Sequence, residues 1–317
     1  MQAYVIRRLL LMVPTLLILS ALVFLSVRFI PGDIIDAMQM RTDSLRSLDR
    51  EQLERMLGID QPIHIQYVRW LGDILLRGTL GKSLLGKVTV EAKIWRRVGP
   101  TFQLGLMALV IAMVIALPVG IFSAIRQDTA GDYAGRTVAV LGLATPNFWL
   151  ALMVIIYPAL WWDWSPPIIM VRFLDDPWES LGVFIIPSII LGTALSAGTM
   201  RITRTMMLEV LRQDYVRTAW AKGLRERMVV LRHAIKNAMI PVLSAIGLAV
   251  PLLVGGSVII ENMFNLPGMG QMMLVALEDR DYPVVSGVNL FFGTGVLVIN
   301  LIIDLLYVSL DPRVRYQ

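Results

Sequence analysis

Cysteine is absent from the sequence and histidine occurs only at His64 and His233. Disulfide scaffolds, Cys/His zinc sites and cysteine nucleophiles are therefore excluded by composition. Charge is scarce as well: 17% of the 317 residues are Asp, Glu, Lys or Arg, where a soluble domain carries roughly a quarter. In their place is a hydrophobic content of 56%. It is gathered into runs of about twenty residues, and the segments between them hold nearly all the charge, as expected when lipid replaces water as solvent. The chain reads as an all-α, polytopic membrane protein. Its net charge of +5 points to loops retained in the cytoplasm and not to nucleic acid.

Six stretches are long and apolar enough to cross a hydrocarbon core: 9–29, 102–125, 137–161, 181–200, 239–260 and 284–310. Arg7 and Arg8 precede the first. Its run of about 20 residues exceeds the roughly 7 to 15 of a signal peptide, so it is expected to remain as an uncleaved helix. Orientation follows from Lys and Arg, which short cytoplasmic loops retain. Segment 201–238 carries nine of them (Arg201, Arg204, Arg212, Arg217, Lys222, Arg225, Arg227, Arg232, Lys236) against Glu209, Asp214 and Glu226, and is placed inside. The acidic connections after the third and fifth stretches are placed outside, which puts both termini in the cytoplasm, with Arg313 and Arg315 on that side. Segment 30–101 becomes an external loop. Within it, 49–57 reads as a short helix stopped near Gly58, and 64–76 as a second one bearing Tyr67 and Trp70, together a small cap. The whole of 1–317 is expected to be a single transmembrane domain, with 201–238 as its cytoplasmic segment.

Within the stretches carboxylates and histidines are missing too, save Asp304. A proton-coupled secondary transporter needs intramembrane carboxylates or histidines, which counts against that class. Asp304, seven residues before Asp311 at the cytoplasmic end of the last stretch, reads as a structural ion-pair candidate. The string GTLGKS, with Gly78, Gly81, Lys82 and Ser83, resembles the end of a P-loop, but the spacing would require glycine where Leu76 stands. It reads as a turn. No catalytic constellation, metal site or cofactor motif is present in the spans, so energy for uphill transport would come from another chain.

The informative segment runs from Asp214 to Val242. Asp214 is placed to cap a short helix, Ala219 and Ala221 to give it a small face for close approach by another protein, and Gly223 to end it in a left-handed backbone. A second helix is expected to carry Met228, Leu231, Ile235 and Met239 on one face, with Arg225, Arg232 and Lys236 around it. From the residues alone, a basic amphipathic segment on anionic lipid and a docking site for a protein both remain open.

Arg217, Thr218 and Ala219, followed after three residues by Gly223, resemble the EAA loop of binding-protein-dependent ABC importer permeases, in the RTAxAKG form of dipeptide/oligopeptide permeases. Further strings in the same order are similar to that family: IRRLL, FIPGD from Phe29, LGIDQP from Leu57, TPNFW from Thr145, LPGMG from Leu266, RDYPVVSG from Arg280 and the NLIIDLLYVSLDPRVRY tail from Asn300. The chain departs from the family where Ile34 follows FIPGD and where Arg217 and Thr218 replace Glu-Ala. The resemblance implies the transmembrane domain of a type I importer, the first of two permease subunits. It implies a homologous second permease, two cytosolic ATPase subunits that carry ATP and Mg, and an external substrate-binding protein landing on 59–86 and 261–267. It also implies that Asp214, Tyr215, Arg217, Thr218, Ala219, Ala221, Lys222 and Gly223 couple to an ATPase subunit. The competing expectations are a secondary transporter or channel acting alone and a membrane scaffold. The substrate stays open among peptides, oligosaccharides and metal chelates.

Overall fold

In a computed structural model the described residues are 2–29, 35, 49–57, 59–86, 88–167 and 171–310. The FIPGD residues from position 30 on, Ile34, Gly58, Asp311, Arg313, Arg315 and the rest of the DPRVRY tail lie outside them. In chain order the helices are α1 (Gln2–Ser26), α2 (Arg50–Leu57), α3 (Ile63–Arg77), α4 (Val90–Ile125), α5 (Ala130–Ala144), α6 (Asn147–Trp162) and α7 (Pro177–Leu211). They continue with α8 (Asp214–Ala221), α9 (Glu226–Met228), a π-helical turn (Val229–Ala234), α10 (Ile235–Met263), α11 (Met269–Glu278) and α12 (Tyr282–Leu310). Among the described residues the only β-pairing is one isolated bridge, Lys82 with Thr89.

Among the described residues five helices are long and apolar enough to cross a membrane, and α5 with α6, bent by 91°, passes the same test when the two are taken together as one span. The third span was expected to run unbroken through 137–161; instead it breaks at Thr145 and Pro146. The cause is local. A residue before proline is forced out of the α region, and Thr145 is extended at φ −90, ψ 119. Its hydroxyl donates to the Leu141 carbonyl at 2.7 Å, while the Pro146 carbonyl accepts from the Trp149 and Leu150 amides at 3.0 and 3.2 Å. The broken ends thereby keep hydrogen-bond partners that lipid does not supply.

The chain divides into two compact units. One holds Pro100–Leu266 and the residues from Val298 on; the other holds Gln2–Gly99 and Pro267–Leu297. In the first, α7 is the central helix. Asp176 accepts from the Trp178 and Glu179 amides at 3.0 and 3.1 Å and Pro177 occupies the first turn, an N-terminus suited to both residue types. Phe184, Ile190 and Leu191 then pack with Leu104 and Ala108 of α4, Ala151 of α6, and Leu253 and Ile260 of α10. Glycine permits the closest approaches: a Cβ on Gly192 would stand 2.7 Å from the Ala108 carbonyl oxygen, and one on Gly120 2.9 Å from that of Met200.

In the second unit Val90 and Ile94 pack with Met269, Met272, Val284, Val285 and Val288. The GTLGKS string is a tied-down turn there, with Gly78 and Gly81 at positive φ. The buried Asp281 carboxylate accepts from the Ser83 hydroxyl and from the Leu84 amide at 3.1 Å, and pairs with Lys93 at 3.5 Å. Asp281, expected in an open acidic loop, is thus a buried staple. The helices expected over 49–57 and 64–76 are present as α2 and α3, α3 ending at Gly78 with φ +63.

Overpacking a tight helix contact costs about 1 to 3 kcal/mol. Gly120→Val is therefore expected to lower the thermal midpoint of the detergent-solubilised protein. Gly198→Ala, where an added Cβ meets nothing within 4 Å, is expected to leave it unchanged or slightly raised.

Candidate coupling site

Helix α8 starts at Asp214, with Gln213 as its N-cap and no side-chain capping bond. The expected capping role of Asp214 is thus corrected: it sits one position inside, where its negative charge still favours the helix N-terminus and where it pairs with Arg217 at 3.5 Å. The end of the helix follows the expectation. Gly223 has φ +76; its amide donates to the Trp220 carbonyl at 2.9 Å, and that of Leu224 to Ala219 at 3.4 Å. These two bonds are a Schellman ending, which needs a residue tolerant of the left-handed region. Lys222, the C-cap, stays in ordinary right-handed backbone.

One face of α8 is spent on the chain itself. Val216 and Ala219 are buried with Val229, against Val210 and Leu211 of α7. Ala219 therefore does not belong to an outward small face, contrary to expectation: its methyl-sized side chain lets α8 lie close to its own support. Tyr215, Arg217, Thr218, Trp220, Ala221, Lys222 and Gly223 are exposed. Tyr215 is also anchored, its hydroxyl accepting from the Asn237 amide nitrogen at 2.7 Å. The second helix differs from its expected register. The buried stripe is Val230, Ala234, Ala238 and Val242, while Met228 and Leu231 are exposed. A π turn at Val229–Ala234 lies within this stretch, and such turns concentrate at functional sites.

Beside this segment lies a charge cluster that the sequence did not disclose. Asp132, fully buried near the start of α5, accepts from Arg204 Nε and Nη2 of α7, both at 2.8 Å, and from the Ser123 hydroxyl and the Asp128 amide. Arg136 pairs with it at 3.3 Å, and Arg126 reaches Glu226 of α9 at 4.0 Å. Thr129 followed by Asp132 is a recognisable helix start, and Thr129 does accept from the Asp132 amide. The arginine 72 residues further on has no local signal. Asp304 is half-buried in α12 and is engaged with a partner.

Residues 116–316 match the family described as "Binding-protein-dependent transport system inner membrane component", and residues 1–104 match its N-terminal counterpart. The chain belongs to this permease family. It is similar to a putative peptide permease of Brucella ovis (40% identity, 99% of each chain) and to the oligopeptide transport system permease protein AppB of Bacillus subtilis (37%, 100% of each). It is likewise similar to the glutathione transport system permease protein GsiC of Pectobacterium atrosepticum (38%, 100% of each). Two solved transporters share the fold. An amino acid ABC transporter has a TM-score of 0.54 at 13% identity over 68% of this chain and 94% of the other. The inward-facing MetNI methionine transporter has 0.53 at 15% over 70% and 97%.

The permease is thus the membrane component of an ABC importer with the all-α fold of a type I transmembrane domain, embedded in the inner membrane as a multi-pass protein. It is a transport subunit, with ATP hydrolysis on separate chains, and this sets aside a secondary transporter, a channel or a scaffold acting alone.

Removing one member of a buried ion pair costs about 3 to 5 kcal/mol because the other is left uncompensated, whereas replacing both with apolar groups costs far less. Arg204→Met in the permease is expected to lower its thermal midpoint sharply, and the double change with Asp132→Leu to recover most of the loss. Equal losses in the single and double variants would contradict a paired cluster.

Proposed function

We propose that this permease forms half of the translocation path of an ATP-driven importer for peptide-like solutes. It pairs with a homologous second permease, receives substrate from an external binding protein and couples to two ATPase subunits through α8 and Gly223. The observation that carries the coupling role is the construction of α8. Its Val216–Ala219 face is fixed to the chain, its far end is turned by a left-handed glycine, and its remaining residues, Tyr215 and Trp220 included, stand exposed. A helix held on one side and bare on the other can bind a partner differently in two conformations, and such differential binding is the only way ATP-driven closure can bias the spans. The peptide class is supported by the peptide, oligopeptide and glutathione permeases among the relatives. Within the second unit, residues 59–86, apart from the exposed apolar side of α3, form part of the landing surface for the binding protein. The basic segment 201–238 and both termini face the cytoplasm, and Asp304 serves as a structural ion-pair residue near the inner end of α12.

A β-branched residue at Gly223 would be strained by about 1 to 3 kcal/mol at that turn alone. Gly223→Val should insert and fold yet lose substrate-stimulated ATP hydrolysis, and Trp220→Ala should weaken retention of the ATPase subunits in a pull-down. Neutralising Arg225 should do less, since an exposed charge contributes little. Ala219→Trp, by contrast, should destabilise the chain itself. Full retention and full coupled hydrolysis in both Gly223→Val and Trp220→Ala would favour a segment that rests on lipid.

Orientation has its own test. Because the chain lacks cysteine, a Gln213→Cys variant should be labelled only from inside and Asp175→Cys or Gln52→Cys only from outside.

A further inference from the structure

Helix α3 is apolar on two separate sides. On one, Tyr67 and Trp70 meet α1, their ring centroids 5.3 and 5.5 Å from that of Phe24. On the other, Ile65, Val68, Leu75 and Leu76 are 42, 67, 70 and 88% exposed. At 3.6 residues per turn these four fall in one arc, and Arg69, Asp73 and Arg77 in the next. A cap bathed in water gains nothing from a second apolar arc, and such a surface marks contact with a protein or with lipid.

The depth of the helix decides between these. Arg8, in the second turn of α1, and Arg28, in the 3₁₀ turn that follows it, are twenty residues apart, which corresponds to about 30 Å of helix, the thickness of the hydrocarbon core. Tyr67 Oη shares a hydrogen bond with Ser20 Oγ at 2.8 Å and donates to the Leu17 carbonyl at 3.3 Å. Both residues lie within roughly two residues of the midpoint between the arginines, or about 3 Å. The side chain of Tyr67 thus descends to hydrocarbon depth, and α3 lies beside the outer half of α1, not above its end. Arg28 folds back only as far as Phe24, six residues or about 9 Å from the midpoint, its guanidinium 3.7 Å from the Phe24 ring centroid, donating to the Phe24 carbonyl at 3.1 Å and to the Gln66 side chain.

Between the two helices Ala21, Phe24, Leu25, Ile63, His64 and Tyr67 line a groove of about 370 Å³. It continues the exposed apolar flank that α1, a membrane span, presents at Leu22 and Leu25.

We propose that α3 is embedded in the interface of the outer leaflet, its exposed arc among the acyl chains, and that the groove holds one acyl chain of a phospholipid whose phosphate is bound by Arg28. Two features converge on lipid as the occupant. The groove is continuous with a lipid-facing span. A guanidinium with N–H donors to spare stands beside it, suited to a phosphate oxygen. A helix so placed buries its apolar side about 5 to 10 Å below the headgroups. The word outer rests on the orientation proposed above; the depth does not.

The test uses the assembled transporter with its other chains freed of cysteine, spin-labelled through Val68→Cys, Leu75→Cys, Arg69→Cys or Asp73→Cys. It is reconstituted in phosphatidylethanolamine vesicles containing a minority of phosphatidylglycerol. Labels at 68 and 75 should be relaxed several-fold more by oxygen than by an aqueous nickel chelate, and labels at 69 and 73 the reverse. Relaxation by nickel at all four sites would place α3 in water, and shielding of 68 and 75 from both reagents would mean a protein covers them; either result overturns the proposal. For the headgroup, native mass spectrometry should find phosphatidylglycerol retained by Arg28→Lys and lost several-fold in Arg28→Gln. Equal retention in the two would overturn the assignment of Arg28. Both readouts are independent of ATP hydrolysis, so a failed coupling helix would not mimic either outcome.

Discussion

Lipid offers no hydrogen bonds, and the architecture of this permease follows from that constraint. Every backbone group at membrane depth must be satisfied within the chain, which explains why its spans are helices and why the one break among them is patched. At Thr145 and Pro146 the threonine hydroxyl and the proline carbonyl take over bonds that an unbroken helix would have made. The same constraint governs charge. Asp132 and Asp281, both buried, are each surrounded by a cation, a hydroxyl and a backbone amide, since an unpaired buried carboxylate would cost several kcal/mol.

The proposed coupling site lies where the constraint relaxes. Helix α8 leaves α7 through a two-residue connection, is held by Val216, Ala219 and the Tyr215–Asn237 bond, and turns away at Gly223. Its support is apolar and tightly fitted, its outer residues are bare, and the Asp132–Arg204 cluster ties α5 to α7 nearby. Displacement of α8 by a partner would therefore be passed to α7 and α10 through packed contacts.

What the sequence disclosed and what it withheld divide along the range of the interactions. Apolar run length located the membrane helices, and the glycine at position 223 announced its own left-handed turn, because both depend on residues close in the chain. The break at Pro146 was equally local; the apolar run on either side concealed it. Three features were illegible for a different reason. The burial of Ala219 depends on Leu211 and Val229, which are near in the chain but carry no periodic signal; the buried stripe of the second helix is not the one that a 3.6-residue period assigned to Met228 and Leu231; and Asp132 meets an arginine 72 residues away, beyond any local window. The family strings added what composition could not, the existence of partner chains.

If α8 is the point of contact with an ATPase subunit, a photo-crosslinker attached through Ala221→Cys, an exposed position in a chain otherwise free of cysteine, should reach that subunit in the assembled importer. The expected result is an adduct with the ATPase subunit whose yield changes when ATP is bound. Adducts confined to lipid, with no ATPase subunit captured in either nucleotide state, would contradict it.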